Sequence, residues 1–172
     1  MAGAGTPGDQ VEEVERAIPT EEGNPVSVEV EVSVRVEATP ATLFRYFVDP
    51  ERMCRWKGVE AELDPRPGGI YRVNVTGRDV ALGEYVELVP DERVVFTWGW
   101  EGNDGVPPGS TTIEITLTPD GDATIVRLRH YDLPTDEAAA SHTEGWKHYL
   151  ERLAIAGAGD DAGHDPYTDT PD

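Results

Sequence analysis

The chain has little of several things, and each shortage excludes something. Lysine occurs twice, at Lys57 and Lys147, and Lys plus Arg total 14 against 34 Asp plus Glu, a net charge of −20. Nucleic acid and anionic membrane surfaces require clustered positive charge, so both are excluded as partners. Cysteine occurs once, at Cys54, so there is no intrachain disulfide framework. No apolar run is long enough to cross a bilayer. The opening residues, MAGAGTPGDQ, lack the basic region and apolar core of a secretory signal. A cytoplasmic location is therefore expected. The chain also lacks a G-x-S-x-G nucleophile, phosphate-loop glycine spacing and any His-x-x-x-His pair. With four histidines and one cysteine, no zinc-ligand spacing arises, so neither metal nor cofactor is expected.

The acid that is present is concentrated at the ends. Residues 1–25 carry Asp9, Glu12, Glu13, Glu15, Glu21 and Glu22 against Arg16, and residues 157–172 carry Asp160, Asp161, Asp165, Asp169 and Asp172 with no basic partner. Together these hold half of the net charge. Composition of this kind favours solvated, disordered tails; adaptation to high salt is a second reading. The expected organisation is an acidic tail over 1–25, one domain over 26–157 and a second acidic tail over 158–172. Within the first tail, Val11 to Ile18 could hold a helical turn or two.

Between the tails the periodicity is clear. From Val26 to Glu37, valines at every second position alternate with Ser, Glu and Arg, as in a strand with one face in the core. Thr39-Pro40 and Asp49-Pro50 each combine an N-cap with proline at the first helical position, which predicts two short helices, the second over Pro50 to Trp56. Gly58 then releases the chain into strands over 59–63, 70–76, 80–89, 93–100, 111–118 and 123–131, punctuated by Gly, Pro and Asp. Thr135 to Ala156 is the one long helical run, with His142, Trp146, Tyr149 and Leu153 on one stripe. Gly145 inside it costs about 1 kcal/mol relative to Ala and predicts a close approach, of sheet or of ligand, that a Cβ would block. The layout is α+β, a curved antiparallel sheet around a long C-terminal helix.

Five segments in this order resemble one known family: ATPATLFRYFVDPERMCRWKG, PGGIYRV, GEYVELVPDERVVFTW, LTPDGDATIVRLRHYDLP and EGWKHYLERLA. They resemble the START/birch-allergen-like (SRPBCC) superfamily, and within it the single-domain bacterial proteins named after the activator of the heat-shock chaperone ATPase. The resemblance covers about residues 28–157. It implies a helix-grip fold, with seven antiparallel strands curling round the last helix and a cavity between them. Members include hydrophobic-ligand carriers, cyclases and chaperone activators, so a monomer or weak dimer contacting a chaperone is one implied role.

The candidate site is aromatic. Trp56, Tyr71, Phe96, Trp98, Trp100, Trp146 and Tyr149 lie on elements expected to converge, and Trp and Tyr bring a polar handle to an apolar wall. The expected lining of a pocket for a small hydrophobic molecule is Phe47, Trp56, Tyr71, Phe96, Trp98, His130, Trp146 and Tyr149, with loop 101–110 as its rim. His130 shares a strand face with Val126 and Leu128. It is either a hydrogen-bonded core residue or an acid/base group of a cyclase- or hydratase-type enzyme. Without a second catalytic partner, a non-enzymatic binding domain is the leading expectation. Cys54 reads as a small buried hydrophobe.

Overall fold

The structure is a computed structural model and describes residues 12–18 and 27–169. All strands lie in one antiparallel sheet: β1 (Glu12–Ile18), β2 (Ser27–Val36), β3 (Glu60–Leu63), β4 (Ile70–Asn74), β5 (Val80–Val89), β6 (Arg93–Trp98), β7 (Thr111–Asp120) and β8 (Ala123–Leu133). The spatial order is β1-β2-β8-β7-β6-β5-β4-β3. The seven expected strands are β2 to β8. The eighth, β1, pairs with β2 from Glu12 opposite Ser33 to Ile18 opposite Ser27, so this stretch is extended where helical turns were expected. The remainder of the expected tails, residues 1–11, 19–26 and 170–172, lies outside the described residues.

Between β2 and β3 the chain crosses from one side of the sheet to the other through α1 (Pro40–Phe44), a 3-10 turn (Arg45–Phe47) and α2 (Pro50–Met53). Thr39 and Asp49 cap the two helices as their sequence signals require: Thr39 Oγ1 accepts from the Thr42 amide and Asp49 Oδ1 from the Glu51 amide. The second helix is shorter than expected and ends at Met53. α3 (Asp136–Gly157) is capped by Thr135, whose hydroxyl accepts from the Ala138 amide, and carries Asp136 and Glu137 in its first turn.

Alternation decides what is inside. Val28, Val30, Val32, Val34 and Val36 of β2 are buried, as are Val126, Leu128 and His130 of β8 and Ile113, Ile115 and Leu117 of β7. Ala139, Trp146, Tyr149, Leu150 and Leu153 of α3 are buried in the same core. Two hydroxyls tie the crossover into it: Tyr46 donates to the Ala156 carbonyl at 3.0 Å and Tyr85 to the Phe47 carbonyl at 2.7 Å. At the end of α3, a Cβ on Gly157 would lie 2.8 Å from both Leu43 and Val36. Glycine there lets the helix end sit directly on β2 and α1. The architecture is the helix-grip fold.

Beyond α3 the chain folds back. Asp165 is buried, accepting from the Tyr149 hydroxyl at 2.7 Å and from His148 Nε2 at 2.8 Å. A 3-10 turn, Pro166–Asp169, follows it, and Tyr167 stacks on His148 with ring centroids 4.1 Å apart. Residues 158–169 are thus hooked onto α3, where a disordered tail was expected. Burial opposes ionisation of Asp165, but the hydrogen bonds from Tyr149 and His148 outweigh it, and its pKa falls below the ordinary value.

Candidate functional site

The inner face of β6 presents Trp98 at the centre of a ring of aromatic side chains. Trp100, His130, His142 and Trp146 stand around it, with centroids 4.6, 5.0, 5.3 and 5.9 Å away. β6 ends at Trp98. Trp100, expected in phase on the same strand, lies past Gly99 in an isolated bridge to Ala81 and turns toward α3.

Hydrogen bonds fix both histidines. Trp146 Nε1–H donates to His130 Nδ1 at 3.0 Å, which places the ring proton of His130 on Nε2. That proton goes to Thr111 Oγ1 at 2.8 Å, and the Thr111 hydroxyl donates to the Trp98 carbonyl at 2.7 Å. Trp100 Nε1–H donates to His142 Nε2 at 3.0 Å, so His142 Nδ1–H faces the Ala138 carbonyl at 2.7 Å. Burial holds the His130 pKa well below its ordinary value, reinforced by His142 and Lys57, and lowers that of His142. Both imidazoles are neutral and every ring nitrogen has a partner. His130 has the geometry of a hydrogen-bonded core residue, with no lone pair or proton left over for acid/base work.

Lys57 is different. It is 3% exposed, and among the described residues it makes no ion pair. Its Nζ sits 4.3 Å from the Trp146 ring centroid, 5.6 Å from that of Trp98 and 5.9 Å from that of Tyr71, and donates to the Tyr71 hydroxyl at 3.4 Å. Burial pushes its pKa down to about 7. Local structure explains how an amine comes to be there. Lys57 N–H donates to the Met53 carbonyl, continuing the α2 spiral by about one turn, so Lys57 shares the inward side of buried Met53. Gly58, at φ +98°, then turns the chain into the β3 edge.

These groups border a half-open cavity of about 210 Å³. Its inner end is Lys57, Val75, Trp98, Trp146 and Tyr149; its sides are Trp100, His142 and Gly145; its rim is Thr76 and Asp79 from the β4–β5 turn, Ser141 from α3 and Tyr167 from the hooked C-terminal segment. A Cβ on Gly145 would meet nothing within 4 Å. The expected close approach of the sheet is therefore absent, and the space beside Gly145 belongs to the cavity. The Trp98 Nε1–H is buried without a partner among the described residues.

Of the eight residues expected to line a pocket, Trp98, Trp146 and Tyr149 do so. His130 stands behind them, bonded to Trp146. Tyr71 touches the cavity only through Lys57, and it stacks on Phe96 at 4.1 Å. Phe47 and Trp56 form a separate edge-to-face pair at 5.5 Å, with the Trp56 N–H on the Tyr46 carbonyl. Loop 101–110 stays off this cavity; its first residues line a separate polar hollow with Asp79, Trp100 and Ser141, and Pro108 and Gly109 line another beside β5. Cys54 is half-buried, and burial, with Glu60 nearby, raises its thiol pKa. Sequence reasoning missed Lys57. The signal was available: it lies four residues after apolar Met53 and directly after Trp56, on the inward side of the turn that ends the helix. Among the described residues no three His, Cys, Asp or Glu side chains gather as a metal site, and no helix is long and apolar enough to cross a membrane.

Residues 37–157 match the family model described as Activator of Hsp90 ATPase homolog 1-like protein. The chain belongs to this family. A solved family member, the AHSA1-like protein of Rhizobium etli, is 45% identical over 89% of this chain and 92% of its own, with a TM-score of 0.67. CalU16 of Micromonospora echinospora is 24% identical over 93% and 81%, with a TM-score of 0.71. An HSP90 activator of Plasmodium falciparum is 19% identical over 74% and 94%, with a TM-score of 0.62. The last two are alike in fold alone. A comparison with curated proteins finds no match.

Proposed function

We propose that this AHSA1-like domain binds a small, flat, apolar molecule in the cavity between α3 and the inner face of the sheet, without turning it over. The observation that carries this is the unfilled space of about 210 Å³ walled by Trp98, Trp100, Trp146, Tyr149 and Tyr167. An apolar cavity of about 150 Å³ accommodates benzene, so this one suits a one- or two-ring molecule. Neutral, fully bonded His130 and His142 offer no acid or base, which removes the motive for a cyclase or hydratase. Three of the four tryptophans border the cavity, so tryptophan fluorescence reports on it. Titration with 2-methylnaphthalene, naphthalene and toluene is expected to give a saturable change for at least one. Gly145→Leu, which fills the cavity from α3, abolishes that change while circular dichroism stays the same. A flat response across the three, or an undiminished response in Gly145→Leu, would overturn the reading.

The second reading, contact with a chaperone, rests on the family description and the Plasmodium falciparum neighbour. Among the described residues the large exposed apolar side chains are Val59, Val86 and Tyr167, on three separate segments of the chain. A cytoplasmic location remains the expectation that accompanies either reading.

A further inference from the structure

We propose that Lys57 is a carbonyl-capturing amine, and that the occupant of the cavity is an apolar aldehyde or ketone held as a reversible imine on its Nζ. This deepens the binding reading above and rests on it. Three observations carry it. Lys57 lines the cavity while being 3% exposed, so its side chain is reached through the cavity and not from the surface. Its surroundings are Trp146, Trp98 and Tyr71, with no carboxylate among the described residues paired to it, so no ion pair fixes a proton on it. The other groups facing it are neutral His130 and His142, and the cavity's one acid, Asp79, stands exposed at the rim.

A lysine is nucleophilic only as the free amine, and desolvation in an apolar pocket is one way to obtain it near neutral pH. Burial pushes the Lys57 pKa down to about 7; attraction of the ammonium to the Trp146 face works in the opposite direction. The step balances without a co-reactant. The nitrogen lone pair adds to the carbonyl carbon, and the C=O π pair moves to oxygen, which takes up one of the two amine protons to give a carbinolamine. Loss of that hydroxyl with the second amine proton as water leaves the C=N bond; hydrolysis reverses it. Tyr71, hydrogen-bonded to Nζ at 3.4 Å and buried so that its hydroxyl pKa lies well above the ordinary value, can relay these protons without ionising. Trp98, whose buried N–H has no partner among the described residues, lines the same space.

The scarcity of lysine makes the test clean, because Lys147 is the only other lysine and does not border the cavity. The full chain is incubated with 2-naphthaldehyde and sodium cyanoborohydride at pH 8, and the reduced adducts are mapped by peptide mass spectrometry. Labelling at Lys57 is expected to exceed that at Lys147 at least tenfold and to be suppressed by 2-methylnaphthalene, which has no carbonyl. Its rate should level off above pH 8, where the Lys57 amine is already free. The wild-type map needs no variant; Lys57→Met, checked for fold by circular dichroism, should lose only this adduct. Equal labelling of Lys57 and Lys147, or no Lys57 adduct while 2-methylnaphthalene still perturbs tryptophan fluorescence saturably, overturns the imine proposal and leaves the binding reading standing. Absence of both signals overturns the two together.

Discussion

On the outer face of the sheet, charge is answered strand by strand. Glu29 on β2 accepts from Arg129 on β8 at 2.6 Å, Arg129 also reaches Glu114 on β7 at 3.1 Å, Glu114 pairs with Arg93 on β6, and Arg93 pairs with Glu87 on β5 at 3.0 Å. Glu31 and Arg127 add a parallel rung at 2.6 Å. On the inner face Lys57, the one buried cation among the described residues, has aromatic rings and a tyrosine hydroxyl for company and no carboxylate among them. The same chain that pairs a buried Glu29 leaves an equally buried amine without a carboxylate among the described residues. An arrangement that costs stability in a fold otherwise careful with its charges points to a site kept for binding.

The largest test of that contrast is Lys57→Met. Removing a buried, uncompensated charge in favour of an apolar side chain of similar length is expected to stabilise the fold by about 2–4 kcal/mol at pH 6. The sign follows from the proton. The unfolded amine titrates near 10.5 and the folded one at about 7, so between these values folding releases a proton and wild-type stability rises with pH. Below pH 7 the amine is protonated in both states and the full cost is present. The gain from Lys57→Met is therefore greatest below pH 7 and fades toward pH 10. Urea unfolding at pH 6, 8 and 10 measures it, and a destabilised variant at pH 6 would erase the contrast.

The outer face should respond with the opposite sign. Arg129→Met strips the partner from Glu29, whose side chain is only 3% exposed. The expected loss is about 1–3 kcal/mol at pH 7, discounted from that of a fully buried pair because the Arg129 side chain is itself 35% exposed. Denaturant midpoints of the variant and the wild type at pH 7 test it. No loss would mean that the ladder is ornamental and that its contrast with Lys57 carries no lesson.

How much of this could be read beforehand depends on the range of the interactions involved. The strand over Val26–Glu37, the capped helix starts at Thr39 and Asp49 and the long helix from Thr135 are written in local alternation and caps, and they stand where expected. β1 is held by pairing its backbone with β2, which its Glu-rich sequence does not announce. The C-terminal hook hangs on Asp165 receiving Tyr149 and His148; in a linear reading it is one more acid in an acidic run. The aromatic character of the site was legible, but which rings border open space was not. That depends on Trp100 leaving the strand after Gly99 and on Trp56 turning to the Tyr46 carbonyl. Lys57 was counted only as charge, although its spacing from Met53 placed it inward.

The smallest effect gives a comparison inside α3 itself. Gly145 and Gly157 are both helical glycines, and propensity alone says that alanine at either gains about 1 kcal/mol. Their surroundings differ. A Cβ at Gly157 meets Leu43 and Val36 at 2.8 Å in the packed core, whereas a Cβ at Gly145 meets nothing within 4 Å. Gly157→Ala must displace buried side chains, and overpacking of about 1–3 kcal/mol outweighs the propensity gain, for a net loss of about 1 kcal/mol. Gly145→Ala keeps its gain and stabilises by up to about 1 kcal/mol, but its methyl group enters the cavity and weakens binding of 2-methylnaphthalene. Stability and affinity thus move in opposite directions at Gly145, which is expected of a glycine retained to leave room for a guest. Thermal unfolding of both variants, with a fluorescence titration of Gly145→Ala, separates the cases. If Gly145→Ala were stabilised with affinity unchanged, the space beside it would be a packing defect, and the inner face would lose its claim to be a site.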